Sequence, residues 1–106
     1  MRIRFFGHNC YLLEGHDFTV LIDPWFSQNG AFLGSWYQWP PCSQLLKDLI
    51  DIIKKKEKCF LFISHEHQDH FDISTLSKLE HYIDTLIIPN FSDKFLAENC
   101  KSFDFN

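Results

Sequence analysis

Cys59-Phe60-Leu61-Phe62-Ile63-Ser64-His65-Glu66-His67-Gln68-Asp69-His70 opens as an unbroken apolar run and ends in a cluster of imidazoles and acids. The first five residues read as a central strand covered on both faces, because a strand with one wet face alternates instead. The cluster therefore starts at a strand's C-terminal end, where open α/β sheets place their sites. His65 and His67 are two apart. On a helix they would diverge, but on extended backbone alternate side chains share a side and can converge. Asp69 and His70 follow, where the chain turns toward the next helix. Three imidazoles and one carboxylate within six residues form a ligand set for zinc, iron or manganese. Any single histidine here reads as an ordinary solvated loop residue. Together, without a cation, they form a repulsive, hydration-hungry group, and metal ligation is the better account. Glu66 and Gln68 alternate away from the ions and read either as residues supporting the ligands from behind or as exposed ones.

Upstream of this run, Ser43 is placed to cap a helix on which Leu45, Leu46, Leu49, Ile50 and Ile53 recur at helical spacing. Lys54-Lys55-Lys56 then reads as a solvated helix end that complements the macrodipole. Downstream, Asp72 or Ser74 is placed to cap a short helix with Leu76 and Leu79, Thr85 to Ile88 reads as a strand stopped by Pro89, and Ser92 as the cap of a helix with Phe95 and Leu96. At the start of the chain, Ile3 to Phe6, Cys10 to Leu13 and Phe18 to Ile22 read as strands, the last two joined as a hairpin with Gly15 supplying the turn. Pro24 to Pro41 is a long aromatic loop with all three tryptophans. The order from Phe18 onward is β-α-β-α-β-α, which favours parallel pairing. Lys101 to Asn106 begins the alternation of a further strand.

Bulk properties narrow the function classes. The 106 residues are 45% hydrophobic and 17% aromatic, enough for one modest core. A net charge of −4 with no basic stripe excludes a protein that neutralises a nucleic-acid backbone. No stretch has the length of a membrane span and the start is too short for a signal peptide, which places the protein in the cytoplasm. Cys10, Cys42, Cys59 and Cys100 form no C-x-x-C pair and read as free thiols in a reducing compartment. There is no internal repeat, and residues 1–106 read as one domain.

His65-x-His67-x-Asp69-His70 resembles the HxHxDH signature of the metallo-β-lactamase superfamily. Leu21-Ile22-Asp23-Pro24 resembles that superfamily's first motif, and the resemblance implies that Asp23 supports the metal loop from behind; its plainer reading is a turn aspartate before proline. Gly7-His8-Asn9-Cys10-Tyr11-Leu12-Leu13-Glu14 with Asp23-Pro24-Trp25-Phe26 is similar to the branch that contains ascorbate-phosphate lactonases, N-acyl-phosphatidylethanolamine phospholipase D and CMP-N-acetylneuraminate hydroxylase. Gly30-Ala31-Phe32, Gly34-Ser35-Trp36 and Trp39-Pro40-Pro41 look most like the metallo-β-lactamase-like domain of the hydroxylase. The resemblance implies an αββα sandwich, of which this chain covers roughly the N-terminal half.

It also implies two divalent ions, zinc foremost with iron or manganese as alternatives: His65 and His67 on one, Asp69 and His70 on the other, and Asp69 orienting an attacking hydroxide. The remaining ligands of the superfamily, a third histidine, a bridging aspartate and a final histidine, come from later segments; His81 falls too early. A partner chain or a C-terminal half is expected to complete the site. Trp25, Phe32, Trp36 and Trp39 are candidates for a small-molecule substrate pocket, with burial against the sandwich as the alternative, and His8 is a candidate neighbour of the site. Three functions follow. The first is a metal-dependent hydrolase of a phosphate-containing or nucleotide-linked small molecule. The second is an iron-dependent hydroxylase-like protein without its Rieske domain, since no Cys is paired with a His at Rieske spacing. The third is an inactive fragment or interaction partner that keeps a partial metal site.

Overall fold

The computed structural model describes residues 1–106 as a mixed α/β structure built on a five-stranded sheet. Strands β1 (Arg2–Gly7), β2 (Cys10–Glu14), β3 (Phe18–Ile22), β4 (Lys58–Phe62) and β5 (Thr85–Ile87) lie in sequence order across it. β1, β2 and β3 form an antiparallel meander, whereas β3, β4 and β5 are parallel. Helices α1 (Leu46–Ile53), α2 (Ile73–Leu79) and α3 (Phe95–Cys100) complete the elements, with short 3₁₀ turns at Ser43–Leu45 and Glu80–Tyr82. His81 is exposed on the second of these turns.

The register sorts the strand side chains into two faces. Leu12, Leu21 and Leu61 align across β2, β3 and β4 and are fully buried, packed in one cluster with Leu49 and Ile53 of α1, Leu76 and Leu79 of α2 and Leu96 of α3. The opposite face carries Ile3, Leu13, Val20 and Phe60 in one row and Phe5, Tyr11, Ile22, Phe62 and Ile87 in the next. It is apolar and open: Ile3 is 67% exposed and Phe5 62%. β4 is central, as its apolar run implies, but Phe60 and Phe62 are only half-buried because no second layer covers their side.

Several local expectations are corrected. Ser43 does not cap α1; its hydroxyl accepts from Gln28 Nε2 at 3.0 Å, and the helix is entered through the 3₁₀ turn with no side-chain cap. Ser92 does not cap α3, which begins after Lys94. Asp72 does cap α2, accepting from the Thr75 N–H at 3.3 Å. Gly15 sits in the β2–β3 connection for space rather than for a left-handed φ: a Cβ there would fall 2.3 Å from the ring of Phe18. Lys56 is more than a solvated helix end, since its Nζ donates to the carbonyls of Gly15 at 2.8 Å and His16 at 3.1 Å and clamps that same connection. Lys101 to Asn106 forms no strand, although the Leu86 N–H donates to the Asn106 carbonyl at 2.8 Å along β5.

Candidate metal centre

The parallel pairing of β3 with β4 puts Ile22 opposite Phe62, so the next residues leave the sheet side by side. The Asp23 N–H donates to the Phe62 carbonyl at 3.0 Å, and Asp23 turns its carboxylate under the loop that follows β4. That carboxylate is buried and fully engaged. Oδ1 accepts from the Ser64 N–H at 2.7 Å, while Oδ2 accepts from the Ser64 hydroxyl at 2.6 Å and from His70 Nδ1 at 2.8 Å.

These bonds fix two histidine tautomers. His70 gives its Nδ1 proton to Asp23, which leaves its Nε2 lone pair free. Ser64 has spent its proton on Asp23, so its oxygen accepts from His65 Nδ1 at 2.8 Å, and His65 likewise presents Nε2. Desolvation in the first place, and then the neighbouring His70 and His67, hold the His65 pKa below its ordinary value and favour the neutral, ligating form.

The loop doubles back through one carbonyl. His67 C=O accepts from the N–H groups of His70 at 2.8 Å and Phe71 at 2.7 Å, and this turn returns Asp69 and His70 toward His65. The His65 ring centroid lies 4.0 Å from that of His70 and 4.7 Å from that of His67. Asp69, 4% exposed, places Oδ2 3.2 Å from His70 Nε2 and 2.8 Å from His8 Nε2. The donor atoms of His8, Asp69 and His70 all lie within 4.8 Å of one another, a His/His/Asp group able to hold a metal ion. Two imidazole nitrogens, that of His70 with its far side already hydrogen-bonded, next to a buried carboxylate match the donor chemistry of zinc, iron or manganese.

His8 comes from the tight β1–β2 turn and meets Trp25 and Trp36 edge-on, with centroids 5.1 and 5.7 Å away. Phe32 stacks on Trp36 at 5.7 Å and lies 6.3 Å from the His67 ring. His8, Asp23 and Phe32 all have positive φ, at 52°, 42° and 53°. Of the aromatic residues expected around a pocket, Trp36 and Phe32 thus stand beside the histidines, and Trp25, 2% exposed, is a buried wall. Trp39 is 89% exposed; it lines a cleft of about 330 Å³ with Trp25, Tyr37, Gln38 and Pro41, and a second of about 320 Å³ with His8, Gln38 and Pro40.

Three further residues make contacts that the sequence did not specify. Ser64 links Asp23 to His65, and its place directly before the first histidine was the available signal. Gln68 points outward, as alternation implies, yet its Oε1 accepts from the Phe32 N–H at 2.5 Å and ties the aromatic loop to the histidine loop. Thr75 accepts from the Phe26 N–H at 2.8 Å and bonds Asp72, and Ser27 also donates to Asp72 at 3.2 Å. The segment after Asp23 is therefore pinned to the start of α2.

Comparison with known proteins agrees with this geometry. The chain is 28% identical over 106 residues to a Mycolicibacterium smegmatis protein that carries the name of a Rieske 2Fe-2S iron-sulfur protein, a match taking in 100% of this chain and 19% of that one. It is 32% identical over 79 residues to a metal-dependent hydrolase of Pyrobaculum islandicum, covering 74% of this chain and 28% of the relative. It is 29% identical over 79 residues to the cytidine monophosphate-N-acetylneuraminic acid hydroxylase of Asterias rubens, covering 74% of this chain and 11% of the relative. The chain thus spans less than a third of each of these proteins. No solved structure matches it. Residues 2–104 match the model of the Beta-lactamase superfamily domain, and the chain belongs to that family.

Proposed function

We propose that this chain carries part of the active site of a metal-dependent hydrolase acting on a phosphate-containing or nucleotide-linked small molecule. Residues 1–106 are read as one partial domain that contributes a sheet and its helices to an αββα sandwich. The observation that carries the reading is the double use of Asp23, which through His70 and Ser64 leaves the Nε2 atoms of both His70 and His65 free as ligands. Two divalent ions are assigned, one to His65 and His67 and one to Asp69 and His70.

A bound divalent ion supplies an acidified water, with a pKa near ~7 instead of ~15.7, and so a nucleophile at neutral pH. The chain's own part is positional. Asp69 holds one oxygen toward the ligating nitrogens and would orient the attacking hydroxide. Asp23, held in place by the Ser64 N–H, keeps His70 from turning. Trp36 and Phe32 exclude water from one flank, where a planar base or sugar ring would pack. A small-molecule substrate fits the net charge of −4, which repels a long polyanion.

The test is turnover of an activated phosphodiester and of a lactone by the zinc-loaded chain. Hydrolysis that disappears in the His65→Ala/His67→Ala variant supports the reading. A fully zinc-loaded, folded chain that hydrolyses neither substrate overturns it for this polypeptide.

A second reading rests on the relatives: two of the three named above are a Rieske-named protein and a hydroxylase. On that reading the same ligands hold iron in a sugar-nucleotide hydroxylase-like protein, and electrons arrive from an iron-sulfur centre outside these residues. Oxygen consumption by the ferrous-loaded chain with a sugar nucleotide and a chemical reductant, absent with zinc, distinguishes it from the first.

A further inference from the structure

His8 lies 61 residues from Asp69 in sequence, and nothing in the histidine motif calls for it. We propose that His8 is the third protein ligand of the ion held by Asp69 and His70, so that this chain carries one complete three-ligand site of its own. The inference rests on the metal-centre reading above and assigns a residue that this reading leaves out.

The argument begins with His70. Its Nδ1 is hydrogen-bonded to Asp23, so the Nε2 that faces Asp69 Oδ2 at 3.2 Å is the ring nitrogen left for a ligand. This nitrogen and the buried carboxylate oxygen are both donors to a cation, and an ion between them would take both as ligands. His8 Nε2 then completes the group at 2.8 Å from the same oxygen. The two separations, 2.8 and 3.2 Å, approach the edge of a tetrahedron around zinc, about 3.4 Å for ligand bonds of about 2.1 Å. Neither ring nitrogen of His8 has another protein partner, since its Nδ1 makes no hydrogen bond, whereas the Nδ1 atoms of both His65 and His70 are tied to protein. Trp25 and Trp36 hold the His8 ring edge-on from two sides, so Nε2 is aimed before any ion arrives.

The rival role is a hydrogen bond from His8 to Asp69 that merely positions the carboxylate. Glutamine at position 8 preserves an N–H donor and removes the imidazole. Outer hydrogen bonds of this kind are worth about 10–100-fold in metal affinity, and a lost ligand costs more.

Cobalt titration of the His65→Ala/His67→Ala chain, which retains His8, Asp69 and His70, is expected to show one equivalent bound. Adding His8→Gln should weaken that binding by more than about 100-fold, with the far-UV circular dichroism of the metal-free chain unchanged. As a measurement that needs no variant, zinc added to ¹⁵N-histidine-labelled wild-type chain should move the His8 Nε2 resonance to its metal-bound position. Retention of cobalt affinity in His8→Gln, or zinc binding by the wild type with the His8 resonance unmoved, overturns the assignment of His8 alone. Failure of the wild-type chain to bind either ion overturns the metal-centre reading and His8 with it.

Discussion

Asp23 Oδ2 lies 2.8 Å from His70 Nδ1, although the two residues are 47 apart in sequence, and the contact exists because β3 and β4 run parallel and end together. Replacing Asp23 with alanine frees the His70 ring and leaves the Ser64 N–H without its acceptor. Zinc affinity is expected to fall about 10–100-fold, and stability by about 1–3 kcal/mol. Competition against a chromophoric chelator reads the first and urea denaturation of the metal-free chain the second; wild-type affinity in the folded variant would remove Asp23 from the centre.

Ser64→Ala should act on His65 and spare His70, whose bond to Asp23 is direct. The expected loss of zinc affinity is smaller, up to about 10-fold. Nitrogen NMR of the metal-free variant should show His65 divided between two tautomers, while Ser64→Thr restores a single one. A His65 spectrum insensitive to both changes would contradict the relay.

The lowered pKa of His65 makes stability depend on pH with a defined sign. Because the folded value lies below the ordinary 6.5, the unfolded chain binds more protons in the interval between the two. This contribution is fully present above about pH 6.5 and is lost as pH falls through the lower, folded value. The urea midpoint of the metal-free chain should therefore drop between pH 7.5 and pH 5.5, and His65→Gln should flatten the drop. An unaltered pH slope in that variant would exclude His65 as its source.

All four cysteines are buried. Burial drives the Cys59 thiol up to about 11 and the Cys10 thiol further, with Cys42 and Cys100 also raised. Only thiolate reacts with disulfide reagents, so the native chain at pH 8 should resist Ellman's reagent and release four equivalents in denaturant. Rapid labelling of the native chain would show that its interior opens readily.

What could be read from the sequence was whatever depends on near neighbours. The apolar run from Cys59 to Ile63, the helical spacing of Leu49 and Ile53 and the cap at Asp72 are local patterns, and each appears in the fold. Ser43 failed as a cap because its hydroxyl is engaged by Gln28, 15 residues away, and Ser92 because α3 starts later, after Lys94. For a related reason the particular partners of Ser64, Gln68 and His8 were not legible, although His8 was a candidate neighbour of the site. Each is defined by a contact that exists only once the sheet order is known, as when the β1–β2 turn is carried over to Asp69. Trp36 and Trp39, three apart in sequence, differ in their surroundings in a way spacing does not show: Trp36 meets the His8 ring edge-on, whereas Trp39 is 89% exposed and borders a cleft that His8 also lines.

The positive φ angles of His8, Asp23 and Phe32 have a consequence for how this protein could be improved. Left-handed backbone at a residue with a side chain costs on the order of 1 kcal/mol or more, and glycine would relieve it at each position. Those exchanges are the ones a search for thermostability would propose first. Here each would trade a fixed side chain at the centre for backbone comfort, so the residues that look least optimised are the ones to leave alone.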